Sequence, residues 1–327
     1  MWQKIRPYVR TIYRLLQGLN GFFYDIKRYA FYSGYREDLF DSEIRSYQMV
    51  MTYHSLEKSL SYKKRNPTSG WKDAKKVLNL LLVAKKSGII TYHDKAGKQV
   101  LDKFLDLPEN RETDQAKQFI KLLQDINFIS DDNHGAFEYT LHDFYKGKLD
   151  NPEEFFYSRY SLREFKNEIV SKEVIDRAIQ LTLKTPSVCN RQAWHIYYTD
   201  DTDVKKQITT YQGGNKPFGE YVPNYIVVTT DLKGFFTGKE HYQHWIDGGL
   251  LSMTLMYSLH SLGVASCPLN WSQTPQKDKD FRKAVNIDDS HTIIMVLAVG
   301  YPDEINKICA SVRRPIEEIY SELKIRK

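Results

Sequence analysis

Cysteine is scarce in this sequence, and long apolar runs are missing. The three cysteines, Cys189, Cys267 and Cys309, lie far apart among 327 residues and lack the spacing of metal-ligand pairs. This excludes a disulfide framework and a zinc knuckle, and it favours a reducing compartment. Nowhere do about 20 apolar residues follow one another, and the first residues lack the apolar core of a secretory signal. The sequence therefore predicts neither a spanning helix nor a signal peptide, and we expect a cytoplasmic protein.

Excess charge is absent from most of the chain. With 41% apolar and 27% charged residues, the composition is that of a protein that folds in water. The formal net charge is +6, and residues 1–36 contain seven basic residues and one acidic residue, so the whole excess lies there. A neutral remainder argues against an enzyme with a basic nucleic-acid-binding face. We predict a basic arm, residues 1–36, attached to a neutral globular body that has no nucleic-acid partner.

The basic arm has the periodicity of an amphipathic helix. At 100° per residue, Arg6, Arg10 and Arg14 lie opposite an apolar sector about 120° wide. Pro7 is tolerated in the first turn, and the segment 18–21, with its two glycines, is expected to end the helix. The apolar sector consists of Ile5, Tyr8, Val9, Ile12, Leu15, Leu16 and Leu19.

Residues 22–35 mix aromatic rings with cations, a composition typical of the water–lipid interface. Two interpretations of the arm remain open. Its apolar sector either contacts an anionic surface at the inner face of the membrane or packs on the rest of the protein or on a partner subunit.

Residues 37–150 are predicted to be mainly helical. Apolar periodicity predicts helices at 73–86 and 114–126, the first of them stopped by Gly88. His54 and Glu57 suggest a catalytic pair, but they share one predicted helix with no further ligand group nearby, which favours a structural or partner role. The pattern changes at residues 150–152, which we take as the boundary before a third region, residues 151–327.

Helices and strands alternate after this boundary. Ser171 is expected to cap a helix, and the longest core helix is predicted at 242–262. Strands are predicted at 194–199, 225–230, 264–267 and 292–299. This mixture predicts the α+β class, with a central mixed sheet buried between helices.

Two segments of this region carry groups suited to a phosphorylated cofactor. Residues 159–165 read Arg-Tyr-Ser-Leu-Arg-Glu-Phe, and two guanidinium groups with a hydroxyl can hold a phosphate. Residues 186–194 read Pro-Ser-Val-Cys-Asn-Arg-Gln-Ala-Trp, and an Asn amide both donates and accepts hydrogen bonds. By itself, the first pattern is also common on solvated surfaces, and the second also occurs in loops that end helices.

Two further segments complete a pattern. Residues 247–249 read Asp-Gly-Gly and lead to Leu-Gly-Val-Ala-Ser-Cys-Pro-Leu-Asn-Trp at 262–271, while residues 300–302 read Gly-Tyr-Pro with Arg313 behind them. In order and spacing, the four segments resemble the FMN-dependent nitroreductase family over about half of the chain. The similarity is to its motifs Arg-x-Ser-x-Arg-x-Phe, Pro-Ser-x-x-Asn-x-Gln-Pro-Trp, Leu-Gly-x-x-x-Cys and Gly-Tyr-Pro.

The resemblance implies a homodimer with two FMN molecules at the subunit interface. It implies that NAD(P)H gives hydride to flavin N5 and that a small electrophilic acceptor then takes the electrons. The acceptor would be nitro-like, quinone-like or an intermediate of a polysaccharide pathway. The cofactor carries the chemistry, so neither a catalytic side chain nor a metal is expected.

The resemblance also assigns residues to parts of FMN. Arg159, Ser161 and Arg313 would hold the phosphate, Arg163 would offset charge at N1 and O2, and Asn190 with Gln192 would fix the pyrimidine edge. A loop after the third strand would bring backbone N–H groups to N5, from Leu269 or Asn270 because Pro268 has none. Tyr160, Pro186 and Ser187 complete the predicted site.

The sequence departs from the family at Ala193, where proline is usual, and at Ser311, where lysine is usual. The first change loosens the turn, and the second removes one cation from the phosphate site. Near the long helix, Tyr242, His244 or Trp245 could stack against a substrate, and the spacing of His241 and His244 lacks the further ligands of a metal site.

The N-terminal half resembles, faintly, extended nitroreductase-like proteins found alongside capsule and exopolysaccharide synthesis. The alternative function is therefore a flavin-binding scaffold without turnover, or a partner protein of membrane-associated polysaccharide synthesis.

Overall fold

The N-terminal part of the chain is helical, and its helices between residues 42 and 123 enclose an apolar core. The computed structural model describes residues 2–36, 38–62 and 65–326, so Met1, Glu37 and Lys327, at the limits of the predicted regions, lie outside the described residues. The core joins Met49, Leu56, Leu81, Leu101 and Phe104, all fully buried. The helices are α1 (Trp2–Tyr32), α2 (Ser42–Ser61), α3 (Trp71–Ser87), α4 (Tyr92–Leu105), α5 (Asp114–Leu123) and α6 (Leu141–Tyr145).

Local signals set the ends of these helices. The Asp41 carboxylate accepts hydrogen bonds from the first backbone N–H groups of α2, and Thr91 with Asp94 forms a capping box on α4. Gly88 ends α3 with φ 72°, as the sequence predicted. His54 and Glu57 lie on one helix, with His54 Nδ1 3.0 Å from Glu57 Oε2.

Helix α1 is longer than its sequence predicts. The expected end at residues 18–21 is wrong, because the helix continues to Tyr32. Each interior glycine costs about 1 kcal/mol relative to alanine, but the last turns dock on the C-terminal part of the chain and offset that cost. The Tyr24 hydroxyl donates to Asp278 at 2.7 Å, and Arg28 donates to the His291 carbonyl at 2.8 Å.

The C-terminal part combines helices with one sheet. Its order along the sheet is β1-β2-β4-β3, and the four strands pair antiparallel. The predicted α+β class is confirmed. Parallel pairing, which a mixed sheet requires, occurs as an isolated bridge between Ser161 and Ser266. The elements are α7 (Pro152–Tyr157), α8 (Lys172–Thr182), β1 (Trp194–Thr199), α9 (Thr202–Tyr211), β2 (Asn224–Asp231), α10 (Gln243–Ser261), β3 (Ala265–Asn270), α11 (Pro275–Ala284) and β4 (His291–Gly300).

The two faces of the sheet bury separate clusters. On one face, Leu251 and Leu255 of α10 pack with Ile226 and Leu297, while the other face covers Val227 with Phe281 and its neighbours. Gly248 permits the close approach of α10, because a Cβ there would lie 2.5 Å from the Ile294 side chain. The division of the chain at residues 150–152 stays a prediction.

Candidate active site

A cleft gathers Arg159 and Arg313, two of the residues expected at a phosphate, with Tyr160 of the predicted site. Arg159, Tyr160 and Arg313 line a cavity of about 810 Å³, with Ser311 beside them. Side chains of α7 and α10, including Phe156, Met253 and Tyr257, form its apolar wall. Arg159 Nη1 is buried and has no hydrogen-bond partner among the described residues. A buried guanidinium nitrogen without an acceptor is costly, so this cleft has an unmet capacity to bind an anion.

Ser161 and Arg163, which also belong to the segment 159–165, lie to the side of this cleft. Ser161 pairs with Ser266 at the edge of the sheet, where Leu162 N donates to the Ser266 carbonyl at 3.3 Å. Arg163 is exposed, donates to Cys309 Sγ at 3.5 Å and lines a different cavity. Within one chain, the structure therefore separates Arg163 from Arg159.

The segment 186–192 forms a strained loop. Cys189, Asn190 and Gln192 have φ angles of 49°, 53° and 52°, in the left-handed region that residues with a Cβ rarely adopt. Within the loop, the Gln192 amide donates to Asn190 Oδ1 at 3.3 Å, and Ser187 Oγ accepts from Gln192 N at 2.9 Å. Such strain persists only where surrounding contacts hold it, and it is common at binding sites. The structure thus brings the amides of Asn190 and Gln192 together, and their contact with a flavin stays a prediction.

Helix α10 and the segment before it hold this loop. Val188 N donates to the Asp247 carboxylate at 3.2 Å, and Gln243 donates to the same carboxylate at 2.8 Å. Burial raises the pKa of Asp247 against these hydrogen bonds. Arg191, fully buried, also donates to the Gly234 carbonyl at 2.9 Å and so ties the loop to the chain after β2.

Residues of the N-terminal helices pack behind the same loop. Tyr29 of α1 belongs to a buried cluster with Ala193, Leu232 and Phe235, against which Tyr47 of α2 packs. Ala193 and Gly234 lie so close together that a Cβ on Gly234 would be 2.3 Å from Ala193 Cβ. The small side chain at position 193 therefore suits this packing. Sequence reasoning missed these supports, since nothing in the local pattern links residue 29 or 47 to residue 193.

The expected loop at Pro268, Leu269 and Asn270 is wrong. These residues form the second half of β3 and pair with Leu297, Val296 and Met295 on β4. Residues 295–297 lie inside the apolar run of β4, so each of the three residues has a pairing partner there. Proline is tolerated because β3 is an edge strand. Leu269 is buried, whereas Asn270 is exposed and its carbonyl accepts from Gln212 at 2.7 Å.

His244 cannot stack against a substrate in this structure, contrary to expectation. Its side chain is 5% exposed and lies between the rings of Tyr29 and Phe235, with 5.8 Å from ring centre to ring centre in both cases. Burial lowers the pKa of His244 to about 4. Tyr242 and Trp245, by contrast, are exposed.

One side of α10 carries a row of exposed apolar residues beside the first cleft. Tyr242, Ile246, Leu250 and Met253 recur at helical spacing, and Met253 also lines the cleft. A side chain at Gly249 would meet nothing within 4 Å. This row is an apolar surface that no described part of the chain covers.

Comparisons with known proteins find similarity over part of the chain. The nitroreductase family model matches residues 157–239 and 210–301. An Archaeoglobus fulgidus protein described as an NADH dehydrogenase/NAD(P)H nitroreductase is 26% identical over 152 residues, 45% of this chain and 83% of the relative. The iodotyrosine deiodinase of Nematostella vectensis is 25% identical over 195 residues, 49% of this chain and 70% of that protein. An FMN-dependent nitroreductase structure from Clostridium difficile R20291 has a TM-score of 0.45 and 20% identity, covering 52% of this chain and 98% of its own.

Proposed function

The C-terminal half of the chain belongs to the nitroreductase family, and on that premise we propose an FMN-dependent oxidoreductase that carries hydride from NAD(P)H to a small electrophilic acceptor. The observation that carries this proposal is the cleft where the unpartnered guanidinium nitrogen of Arg159 lies with Arg313. The relative described as an NAD(P)H nitroreductase supports the nicotinamide donor.

The residues present fit the phosphate of FMN. A phosphate oxygen would give Arg159 Nη1 the acceptor that it lacks, and hydrogen bonds between ionised groups are the strong ones. Arg313 adds a second cation on the same cleft. Ser311 supplies a hydroxyl where the family has a lysine, so this site holds the phosphate with fewer charges.

The loop 186–192 fits the ring of the cofactor. The amides of Asn190 and Gln192, 3.3 Å apart, offer donors and acceptors that match the alternating pattern of a pyrimidine edge. The anchors of the loop on Asp247 and Arg191 keep these amides in place before the cofactor arrives.

Residues of the chain itself would orient the bound flavin and stabilise the charge on its ring. When bound, FMN supplies a ring that accepts and gives up hydride. Asn190 and Gln192 fix the orientation of that ring, and the Arg163 cation stabilises the negative charge that reduction places on its pyrimidine side. Phe156, Met253 and Tyr257 give the cleft an apolar wall.

A homodimer completes this site. Arg163 and the loop 186–192 do not line the cleft of Arg159, so a flavin that uses all of them needs groups from two chains. The exposed row on α10, which borders the cleft at Met253, supports an interface at this position.

The acceptor we propose is nitro-like, quinone-like or an intermediate of a polysaccharide pathway. A second candidate function is a flavin-binding scaffold, or a partner protein of membrane-associated polysaccharide synthesis, and the form of α1 favours it. Residues 5–20 are all exposed, including Ile12 at 58% and Leu16 at 59%, so the apolar sector does not pack on its own chain.

We place this apolar sector on an anionic surface at the inner face of the membrane. The side of α1 that carries Tyr24 and Arg28 docks on the body, and at 100° per residue this side lies about 120° around the helix from that of Ile12 and Leu16. Arg6, Arg10 and Arg14 lie on the other side of the same helix, and each cation near an anionic surface contributes about 1 kcal/mol. Over the described ranges, no helix combines the length and apolarity needed to cross a bilayer. The contact would therefore be peripheral.

The visible spectrum of the purified protein, before and after anaerobic addition of NADH or NADPH, tests the enzyme. A flavin spectrum that bleaches supports the proposed reaction, and one that bleaches only with dithionite indicates another donor. A bound flavin that stays oxidised with every donor supports the scaffold. A colourless protein that does not bind added FMN contradicts both.

A further inference from the structure

A second cleft lies where α1 meets α11. Its volume is about 630 Å³, and none of the residues assigned to FMN lines it. Tyr24, Phe31 and Tyr32 of α1 give it aromatic walls. Five basic side chains and one acidic side chain, Asp289, complete the lining. The basic residues are Lys27, Arg28, Lys279, Arg282 and Lys283.

Two arginines form a fixed wall of this cleft. Arg28 and Arg282 both donate to the His291 carbonyl, at 2.8 and 2.7 Å, so the two guanidinium groups are neighbours. Arg28 also donates to the Asp289 carbonyl at 2.8 Å. Burial, together with the charge of Arg282, lowers the pKa of Arg28. Arg282 forms an ion pair with Asp278 at 2.8 Å, whereas Arg28 forms none with the residues that the structure describes.

Three lysines in front of this wall lack strong partners. Lys27 forms no hydrogen bond or ion pair with any residue in the described part of the chain. Lys279 Nζ lies 5.3 Å from the centre of the Tyr24 ring, and Lys283 Nζ lies 3.7 Å from Asp280 at the surface. The cleft thus concentrates positive charge that Asp278, Asp280 and Asp289 offset only in part.

We propose that this cleft binds a phosphate-bearing anion with at least two negative charges, a phosphomonoester or a pyrophosphate. Guanidinium and ammonium groups are the usual partners of such anions, and a dianion would relieve the repulsion between Arg28 and its neighbours. Lys27 and Phe31 lie between the docked side of α1 and its apolar sector, at 100° per residue. A headgroup in a membrane touched by that sector and a free phosphate compound can therefore both reach the cleft. This inference does not rest on the flavin proposal.

A calorimetric titration of the full-length protein with inorganic pyrophosphate tests the site. The variant Lys279→Gln/Lys283→Gln removes two cations of the cleft. Lys216→Gln/Lys277→Gln removes two exposed lysines that do not line it and keeps the net charge equal. We expect affinity to fall at least about ten-fold in the first variant only, with unchanged circular dichroism. The single variant Lys27→Gln tests the α1 side independently.

Vesicles identify the source of the phosphate. Phosphatidylcholine vesicles that contain phosphatidic acid, a phosphomonoester, are compared with vesicles that contain phosphatidylserine at equal surface charge. A preference for phosphatidic acid that is lost in Lys279→Gln/Lys283→Gln indicates a lipid headgroup, and pyrophosphate binding without that preference indicates a free ligand. The proposal is overturned if wild-type protein and both double variants behave alike towards pyrophosphate and both vesicles.

Discussion

Arg191 and Glu240 form a bidentate ion pair beneath the strained loop that precedes β1. The two nitrogen–oxygen distances are 2.6 and 3.1 Å, the arginine side chain is fully buried, and the Glu240 carboxylate also accepts from Phe236 N at 3.0 Å. Burial opposes ionisation of Glu240, but the hydrogen bonds from Arg191 and from the backbone outweigh it and lower its pKa. The loop therefore depends on the Arg191 cation, which is paired with the Glu240 carboxylate.

Replacing Glu240 by Gln should destabilise the protein and loosen its hold on FMN. The change leaves the buried Arg191 cation without a counter-charge, which we expect to cost about 2 kcal/mol, less than the roughly 3–5 kcal/mol of a fully buried pair because the Glu240 side chain is 24% exposed. Chemical denaturation measures the loss. The control is Asp203→Asn, which breaks an exposed pair with Lys206 and should cost less than about 1 kcal/mol. Equal effects would contradict the role given to Arg191.

Removing the Asn190 amide should weaken FMN retention about ten-fold, because the ring loses a donor and an acceptor. The backbone at Asn190 has φ 53°, so alanine would add strain to the loss of the amide. Asn190→Gly removes the amide without that strain, and its effect should be nearly as large as that of Asn190→Ala. An affinity unchanged in the glycine variant would show that the amide does not contact the flavin.

Arg313→Ala should weaken binding of FMN far more than binding of riboflavin, which has no phosphate. The expected loss is about ten- to a hundred-fold, that of a hydrogen bond between charged groups. Arg314→Ala is the matched control, because this exposed neighbour does not line the cleft. Fluorescence quenching of both flavins measures the difference. Equal losses for the two ligands would place Arg313 away from the phosphate.

Stability should fall as the pH is lowered from about 6.5 towards 4 because of His244. Burial lowers the pKa of His244 from 6.5 to about 4 in the folded protein. Between these values the unfolded chain binds the proton and the folded chain does not, so acid favours unfolding. The effect at pH 5 relative to pH 7 is on the order of 2 kcal/mol.

His244→Phe removes the proton site while keeping a ring between Tyr29 and Phe235. Its urea midpoint should therefore change less between pH 7 and pH 5 than that of the wild type. An equal change in both proteins would assign the pH dependence to other groups, such as the half-buried His93, whose pKa desolvation also lowers to about 4.

Leu16→Asp should abolish sedimentation with anionic vesicles, because it puts a charge into the apolar sector of α1. Gln17→Asp adds the same charge on the polar side of the helix and should reduce sedimentation only slightly. These single changes leave the contacts of Tyr24, Arg28 and Tyr29 in place, which a deletion of residues 1–36 would destroy. If Leu16→Asp instead changes the oligomeric state without lipid, the sector binds a partner subunit.

The sequence alone determined the elements whose signals are local. Strand β1 runs from Trp194 to Thr199 as alternation predicted, and Ser171 caps α8 through its contact with Val174 N. The Arg159 and Asn190 motifs were also legible, because donors and acceptors for a phosphate or a pyrimidine edge are a matter of residue type and spacing. Periodicity, caps and motifs depend on neighbours within a few residues, so one sequence contains them.

Only the tertiary structure decided where distant segments meet. It carried α1 past Gly18 through the contacts of Tyr24 and Arg28 with the chain around α11 and β4, and it extended β3 along β4. It also placed Tyr29 behind Ala193 and the strained loop. These outcomes depend on burial and hydrogen bonds between residues more than a hundred positions apart or on pairing across a sheet, and no local pattern encodes which partner a side chain will meet.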